Sequence, residues 1–472
     1  MSRTTRDKEA DERDEDSSVR LAEFLSRGSF EGLPGDVVQR TKSSILDTLG
    51  CALLGSANAE LRPIREYVSL SQAKPVSTIL GAGGVGSSPE NAVLCNCAGV
   101  HQFDFDDTFD AAPCHPSSGS VLTSLALAES NGGLSGKQWI TAVALANELT
   151  CRISSAIRGK AHDYPWFRAP VVGIFGATAA ASIALNCDSA EHIQALGLTL
   201  PMVGGTFASL EHPGSDIRSV RDGIAYRNGV VAAQLAKRGL RGDQHVFDGP
   251  LGFFKVFFAG DYDRETLTKG LGEQFSGVSL KPWPSIRHVH AALTATKDLL
   301  DRHGLRNIDI AKLRVFVGAV TKQRCGPAQR GGLPGTRMDL LGNLPFAVAT
   351  MLSHGGMPLE VYRDNALADQ VIDTIDQKIE WEFDPQLTGA GTFERCRVEI
   401  STVDGHVHVG ECEHPRGHPM NPMSAADRHK KFSDCAQGAL RPIDASRVAA
   451  VIDLVETLEN VRDVSEVARL LA

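Results

Sequence analysis

Groups able to move protons are densest in His101-Gln-Phe-Asp104-Phe-Asp106-Asp107-Thr108-Phe-Asp110 and the Cys114-His115-Pro116-Ser117-Ser118-Gly119 that follows it. Four acids, a threonine and two histidines lie at the junction of two helical patterns. There one group can accept a proton while another orients it. The same residues also suit an acidic, solvated loop with helix caps, because Asp or Ser ahead of a helix satisfies free backbone N–H groups. The spacing D-x-D-D-x-x-D lacks the glycine and terminal glutamate of a calcium-binding EF-hand loop.

A second cluster runs Glu211-His212-Pro-Gly-Ser-Asp216-Ile-Arg218-Ser-Val-Arg221-Asp222-Gly223, with Arg227 beyond. Arginines three apart at a helix start, where the dipole also favours anions, can clamp a carboxylate or phosphate. The alternative is a surface face of mixed charge. A third cluster, Lys281-Pro-Trp-Pro-Ser-Ile-Arg287-His288-Val-His290, stands where the composition changes. Histidines two apart on a helix do not share a face, so a metal pair there is weak, and one exposed and one buried histidine is the plainer expectation. His406, His408 and His414 lack the carboxylate or cysteine that would complete a metal set. Gly331-Gly332-Leu-Pro-Gly335 is a loop pattern, and G-x-G-x-x-G after a strand, G-x-x-x-x-G-K-[ST] and G-x-S-x-G are all missing. No metal and no nucleotide cofactor is expected.

The elements that must position these groups are mostly helical. Apolar residues recur at three and four spacing in Val37–Leu53, Ala92–Val100, Val121–Glu129, Ile140–Ile153 and Val230–Lys237. Ser88-Pro89-Glu90 and Ser135-Gly136-Lys137 are start signals, and Gly132-Gly133 and Gly239 are stops. The small residues of Gly173–Ala184 suit the centre of a helical bundle. The longer uncharged run from Ala169 to Cys187 carries Pro170, Gly173 and many alanines, which reads as a buried helix, not a membrane span. From Ile308 to Gly318 and Arg395 to Gly410, β-branched and polar residues alternate around a Val403-Asp404-Gly405-His406 turn signal. Helical patterns at His290–His303, Pro345–Leu352 and Ala366–Thr374 lie between, and Ser446–Leu471 closes the chain with helical periodicity. The expected fold is therefore mainly α. A large all-helical domain (19–279 and 417–472) is interrupted by a smaller α+β domain (280–416), after a disordered charged tail (1–18).

The 472 residues are ample for a buried core without disulfide or metal staples. With 48 Lys+Arg against 57 Asp+Glu, a net charge of −9 gives no chain-wide reason to bind nucleic acid or an anionic membrane. The charged N-terminal segment has no apolar core of a secretory signal, and the ten cysteines form no C-x-x-C pair. A cytoplasmic protein with reduced, mostly buried thiols is expected.

Taken together, these motifs resemble the MmgE/PrpD family, whose members include 2-methylcitrate dehydratase, cis-aconitate decarboxylase and iminodisuccinate epimerase. The resemblance is carried by RTKSSILDTLGCALLGS (40–56), HQFDFDDTFDAAPCHPSSGSV (101–121), VVGIFGATAAAS (171–182), RNGVVAAQLAKRGLRG (227–242), KPWPSIRHVH (281–290) and PRGHPMNPMS (415–424). It implies a helical domain with an α+β lid, a homodimer, and a cleft near the lid junction. It also implies catalytic roles for Asp104 and Thr108 of the DFDDT motif, His115 of the HPS motif, and Lys281 and His290. In the decarboxylase-like pattern a lysine stands at Arg218, a histidine at Arg221 and a further histidine at Phe167 or Arg168. The tyrosine of that pattern has no evident counterpart in 321–337.

The resemblance implies proton transfer beside a carboxylate of a small di- or tricarboxylate, without a redox cofactor. Such chemistry needs a base for the α proton, cationic donors for the developing charge, and an acid. Arg168, Arg218 and Arg221 are expected to bind substrate. Exchanging a lysine and a histidine for permanently charged, bidentate arginines favours carboxylate binding over proton donation. Epimerisation expels nothing and needs only two proton-carrying groups, so an epimerase or isomerase is the leading expectation. Dehydratase is the alternative, followed by decarboxylase and a non-catalytic carboxylate-binding relative.

Overall fold

The computed structural model describes residues 16–159, 163–208, 215–273, 275–325, 337–363, 371, 374, 378–389 and 394–472. The chain divides into two compact units, one made of residues 1–102, 112–277 and 429–472 and the other of 103–111 and 278–428.

The first unit is helical. Its main helices are α1 (Ser17–Arg27), α2 (Gly35–Ser56), α3 (Pro89–Val100), α4 (Pro116–Ser130), α5 (Gly136–Ala156), α6 (Arg168–Ala184), α7 (Ser189–Thr199) and α8 (Ile217–Lys237). A two-residue ribbon, β1 (Ser77–Thr78) and β2 (Gly86–Ser87), precedes α3. Ser135 and Gln138 form a reciprocal capping box at the start of α5, as the Ser-Gly-Lys signal implies. Gly132, Gly133 and Gly239 take the positive φ that ends a helix.

Helix α6 is buried along almost its whole length. It packs against α4, α5, α7 and α8, and small residues permit the approach. A β-carbon on Gly229 of α8 would stand 3.0 Å from the Thr178 backbone nitrogen of α6. One on Gly55 of α2 would collide with the Gly99 carbonyl of α3, so these helices cross backbone to backbone. Among the described residues no helix is long and apolar enough to cross a membrane. All ten cysteines are buried thiols.

The second unit holds a four-stranded sheet of β3 (Ile310–Val317), β4 (Ile379–Phe383), β5 (Cys396–Thr402) and β6 (Val407–Cys412), in the order β4-β3-β5-β6. Strand β3 runs parallel to β4 and antiparallel to β5, with Val315 opposite Val398, and β5 pairs antiparallel with β6. Residues Cys396, Val398, Ile400 and Thr402 of β5 point inward while the residues between them are less buried. Helix α9 (His290–His303) packs on β5 and β6, and α10 (Leu344–His354) packs on α9 and β4. The fold is mainly α, with one small sheet-bearing unit.

Several details depart from the sequence reading. Residues 16–18 do not belong to a disordered tail: Asp16 caps α1 by accepting from the Ser18 N–H, and Ser17 and Ser18 are buried. Residues 1–15 lie outside the described residues. Residues 103–111 group with the second unit, not with the helical one, and that unit extends from 278 to 428. The C-terminal periodicity is broken into α11 (Ala445–Glu456), a 3-10 turn at Leu458–Asn460 and a last helix at Ser465–Leu470. The alternation of β-branched and polar residues does not mark strand β4, and the pattern at Ala366–Thr374 lies largely outside the described residues.

Candidate active site

In the second unit, Asp104 and Thr108 stand on an irregular segment held by residues 279–281. The Thr108 N–H donates to the Ser279 carbonyl at 2.9 Å, and the Ser279 N–H returns a bond to the Thr108 carbonyl at 2.8 Å. Two residues on, the Lys281 ammonium donates to Asp104 Oδ1 at 2.5 Å and to the Asp104 carbonyl at 2.8 Å. Lys281 is 0% exposed and Asp104 3%. Asp104 has φ +47°, a left-handed conformation that a non-glycine residue adopts at a cost, though Asp tolerates it better than most. The amine thus holds both the carboxylate and the backbone turn that presents it.

A second ion pair lies on the same segments. Arg287 donates from Nε to Asp110 Oδ1 (2.9 Å) and from Nη2 to Asp110 Oδ2 (2.6 Å), a bidentate fork. Burial alone would raise the Asp110 pKa, but the Arg287 charge, the fork and the Ser279 hydroxyl outweigh it and hold the pKa below the usual carboxylate value. The local sequence pattern gives neither Asp110 nor Arg287 a role of its own. Their pairing spans 177 residues, and no local pattern announces it.

His290 opens α9 and is fully buried. Its Nε2 hydrogen-bonds with Ser285 Oγ (3.0 Å), and its Nδ1 finds no hydrogen-bond partner among the described residues. Burial, then the Arg287 and Lys281 charges, push its pKa well below the ordinary histidine value, so it is a neutral imidazole. His288 is half-buried, so the expected exposed-and-buried contrast is present in weaker form. Tyr362 is buried, donates to the Pro284 carbonyl at 2.6 Å and lies edge-on to Phe103. Burial and the nearby Asp104 raise its pKa.

The helical unit carries the other expected residues, grouped at helix ends. His115 is the N-terminal cap position of α4, and its ring meets His101, which follows α3, edge to face at 4.8 Å. Arg168 begins α6 and donates to the Gly159 carbonyl; burial lowers its pKa against the opposing pull of Asp163. Arg218 and Arg221 lie in the first turns of α8, and Arg221 donates to the Arg218 carbonyl. The Arg221 guanidinium stacks on Phe167, 4.0 Å from the ring centroid. Its Nε lies 3.6 Å from Asp222 Oδ1, too far for a hydrogen bond, and Nε and Nη2 are buried with no hydrogen-bond partner among the described residues. Glu211 and His212 lie outside the described residues, as does the Gly331–Gly335 loop.

The expected residues therefore form two sets. Asp104, Thr108, Lys281 and His290 belong to one unit, and His115, Arg168, Arg218 and Arg221 to the other.

The MmgE/PrpD N-terminal domain model matches residues 19–265, and the MmgE/PrpD C-terminal domain model matches 283–457. Similar curated proteins include the cis-aconitate decarboxylase of Homo sapiens, 27% identical over 449 residues that span 92% of this chain and 90% of the relative. The cis-aconitate decarboxylase of Mus musculus is 26% identical, with 93% of this chain and 90% of the relative covered. That of Aspergillus terreus is 27% identical, with 96% and 95% covered. With both domain models matched in order along the chain, this protein belongs to the MmgE/PrpD family.

Proposed function

We propose that this chain is a cofactor-independent acid–base enzyme that moves a proton at the carbon α to a carboxylate of a small di- or tricarboxylate, and that the reaction is an epimerisation. The observation that carries this reading is the Arg221 edge. A buried guanidinium whose Nε and Nη2 donate no hydrogen bond among the described residues is costly unless an acceptor arrives, and a substrate carboxylate matches that fork. Arg168 and Arg218, at neighbouring helix starts, add positive charge where helix dipoles also favour an anion.

Proton transfer falls to the other polar groups. The Asp104 carboxylate, held beside the Lys281 ammonium, and the His115 imidazole are the proton carriers, with Thr108 donating to charge that develops on the substrate carboxylate. His290 is a neutral imidazole whose burial makes it a weak proton acceptor, so its part is to hydrogen-bond within the site and not to carry the proton. Removal of a proton from one face and return to the other needs two such groups and no leaving-group acid.

A second reading is decarboxylation, favoured by the named relatives, which are cis-aconitate decarboxylases. Against it, arginines at 218 and 221 cannot supply a proton to the carbon that loses CO2. The test is turnover of cis-aconitate, citrate, 2-methylcitrate and iminodisuccinate stereoisomers by the wild type and His115→Ala. Inversion by the wild type, lost in the variant, supports epimerisation, while CO2 release establishes the second reading. An olefinic product without CO2 release establishes a dehydratase instead. Full turnover by the variant removes His115 from the mechanism.

A further inference from the structure

Thr108 is held at a distance by a buried polar relay. Its backbone exchanges two hydrogen bonds with Ser279. The Ser279 hydroxyl donates to Asp110 Oδ2 at 2.5 Å and accepts from Arg287 Nη2 at 3.1 Å, and Arg287 forks onto both Asp110 oxygens. Arg287 also reaches the Arg416 carbonyl at 3.4 Å. Thr108, Ser279, Asp110 and Arg287 are all buried.

We propose that Ser279 and Arg287 are positioning residues that fix where the Thr108 hydroxyl stands, through the Thr108–Ser279 backbone pair and the Asp110 fork. This rests on the reading above that Thr108 serves the reaction. A buried ion pair is a weak source of stability, since apolar groups of similar volume often serve as well or better. What it supplies is direction: a bidentate fork fixes Asp110 in orientation as well as distance, and Asp110 in turn fixes the Ser279 hydroxyl. Segment 279–281 then grips the Asp104–Thr108 stretch at both ends, by the Ser279 backbone at one and the Lys281 amine at the other.

The test combines Ser279→Ala and Arg287→Lys in the full chain labelled with 13C at threonine methyls. The Thr108 signal is identified by its loss in Thr108→Ala. The expected result is a displaced Thr108 methyl resonance in both variants. On a substrate that the wild type turns over, kcat should fall roughly ten- to a hundredfold with KM unchanged. In a Thr108→Ala background the added Ser279→Ala should change kcat by less than about twofold, because the effect travels through Thr108. An unmoved methyl resonance, or an equal kcat loss in both backgrounds, overturns the proposal. Should the wild type turn over none of the panel, the functional reading fails while the methyl resonance still decides the positioning. Should Arg287→Lys not fold, Ser279→Ala, which removes a single oxygen, carries the test.

Discussion

Lys281 and Asp104 are joined twice, through the side-chain carboxylate at 2.5 Å and through the backbone carbonyl at 2.8 Å, with the lysine wholly shielded from solvent. These two hydrogen bonds explain how Asp104 keeps a left-handed backbone, because the same ammonium neutralises its charge and donates to its carbonyl. Replacing Lys281 by Met takes the cation from a buried carboxylate and should destabilise the protein by about 3–5 kcal/mol. Adding Asp104→Asn should restore a large part of that stability without restoring turnover. Urea unfolding of the two single variants and the double variant measures the coupling, and additive losses would show that the pair is not energetically linked.

Arg221 should behave as a binding residue. Arg221→Lys keeps the charge but loses the fork, so affinity for a di- or tricarboxylate should fall about tenfold or more. Isothermal titration with citrate and cis-aconitate reads the change. Unaltered affinity would mean that the open guanidinium edge serves something other than the ligand.

Stability should drop on mild acidification. Burial pushes the His192 pKa down to about 4 from an unfolded value near 6.5. Both states are neutral above pH 6.5, so this contribution to stability is whole there. Between pH 6.5 and 4 the unfolded chain takes up a proton that the folded chain refuses, and stability falls, by about 3 kcal/mol over that window for this one residue. His290 adds to the loss in the same direction. Denaturant unfolding at pH 7 and pH 5 measures the slope, and His192→Gln should make it shallower by up to one proton. An unchanged slope in the variant would contradict the assignment.

The crossing of α2 and α3 leaves no room for a side chain at Gly55. Gly55→Ala must push the helices apart against backbone, not against a yielding side chain, and should cost about 1–3 kcal/mol. Because α3 leads into His101, turnover should fall as well. Thermal unfolding tests the first effect, and a melting temperature equal to the wild type's would show that the bundle accommodates the methyl group.

Local signals reported local structure well. Helix α9 was legible to the residue because its three-and-four spacing ends at Gly304, which takes the left-handed cap. The Val403–His406 turn was legible because Gly405 supplies the positive φ between β5 and β6. Strand β4 was not, because Ile379-Glu-Trp-Glu-Phe is a half-exposed edge whose identity comes from pairing with β3, far away in sequence. Among the candidate residues, motifs singled out Asp104, Thr108, His115 and Lys281, but not the grouping of residues 103–111 with the second unit. Nor did they reveal the Asp110–Arg287 fork, since both depend on contacts between segments some 170 residues apart. The open edge of Arg221 was equally invisible in the sequence, because an unspent donor is a property of packing.

The most direct test of the central claim is proton NMR of the purified enzyme in D2O with iminodisuccinate stereoisomers, citrate, 2-methylcitrate and cis-aconitate. Deuterium should enter the carbon α to a carboxylate, with inversion and without a new olefin or CO2, and Asp104→Asn and His115→Ala should abolish the exchange. Turnover of any of these substrates with no deuterium entering at the α carbon would contradict it.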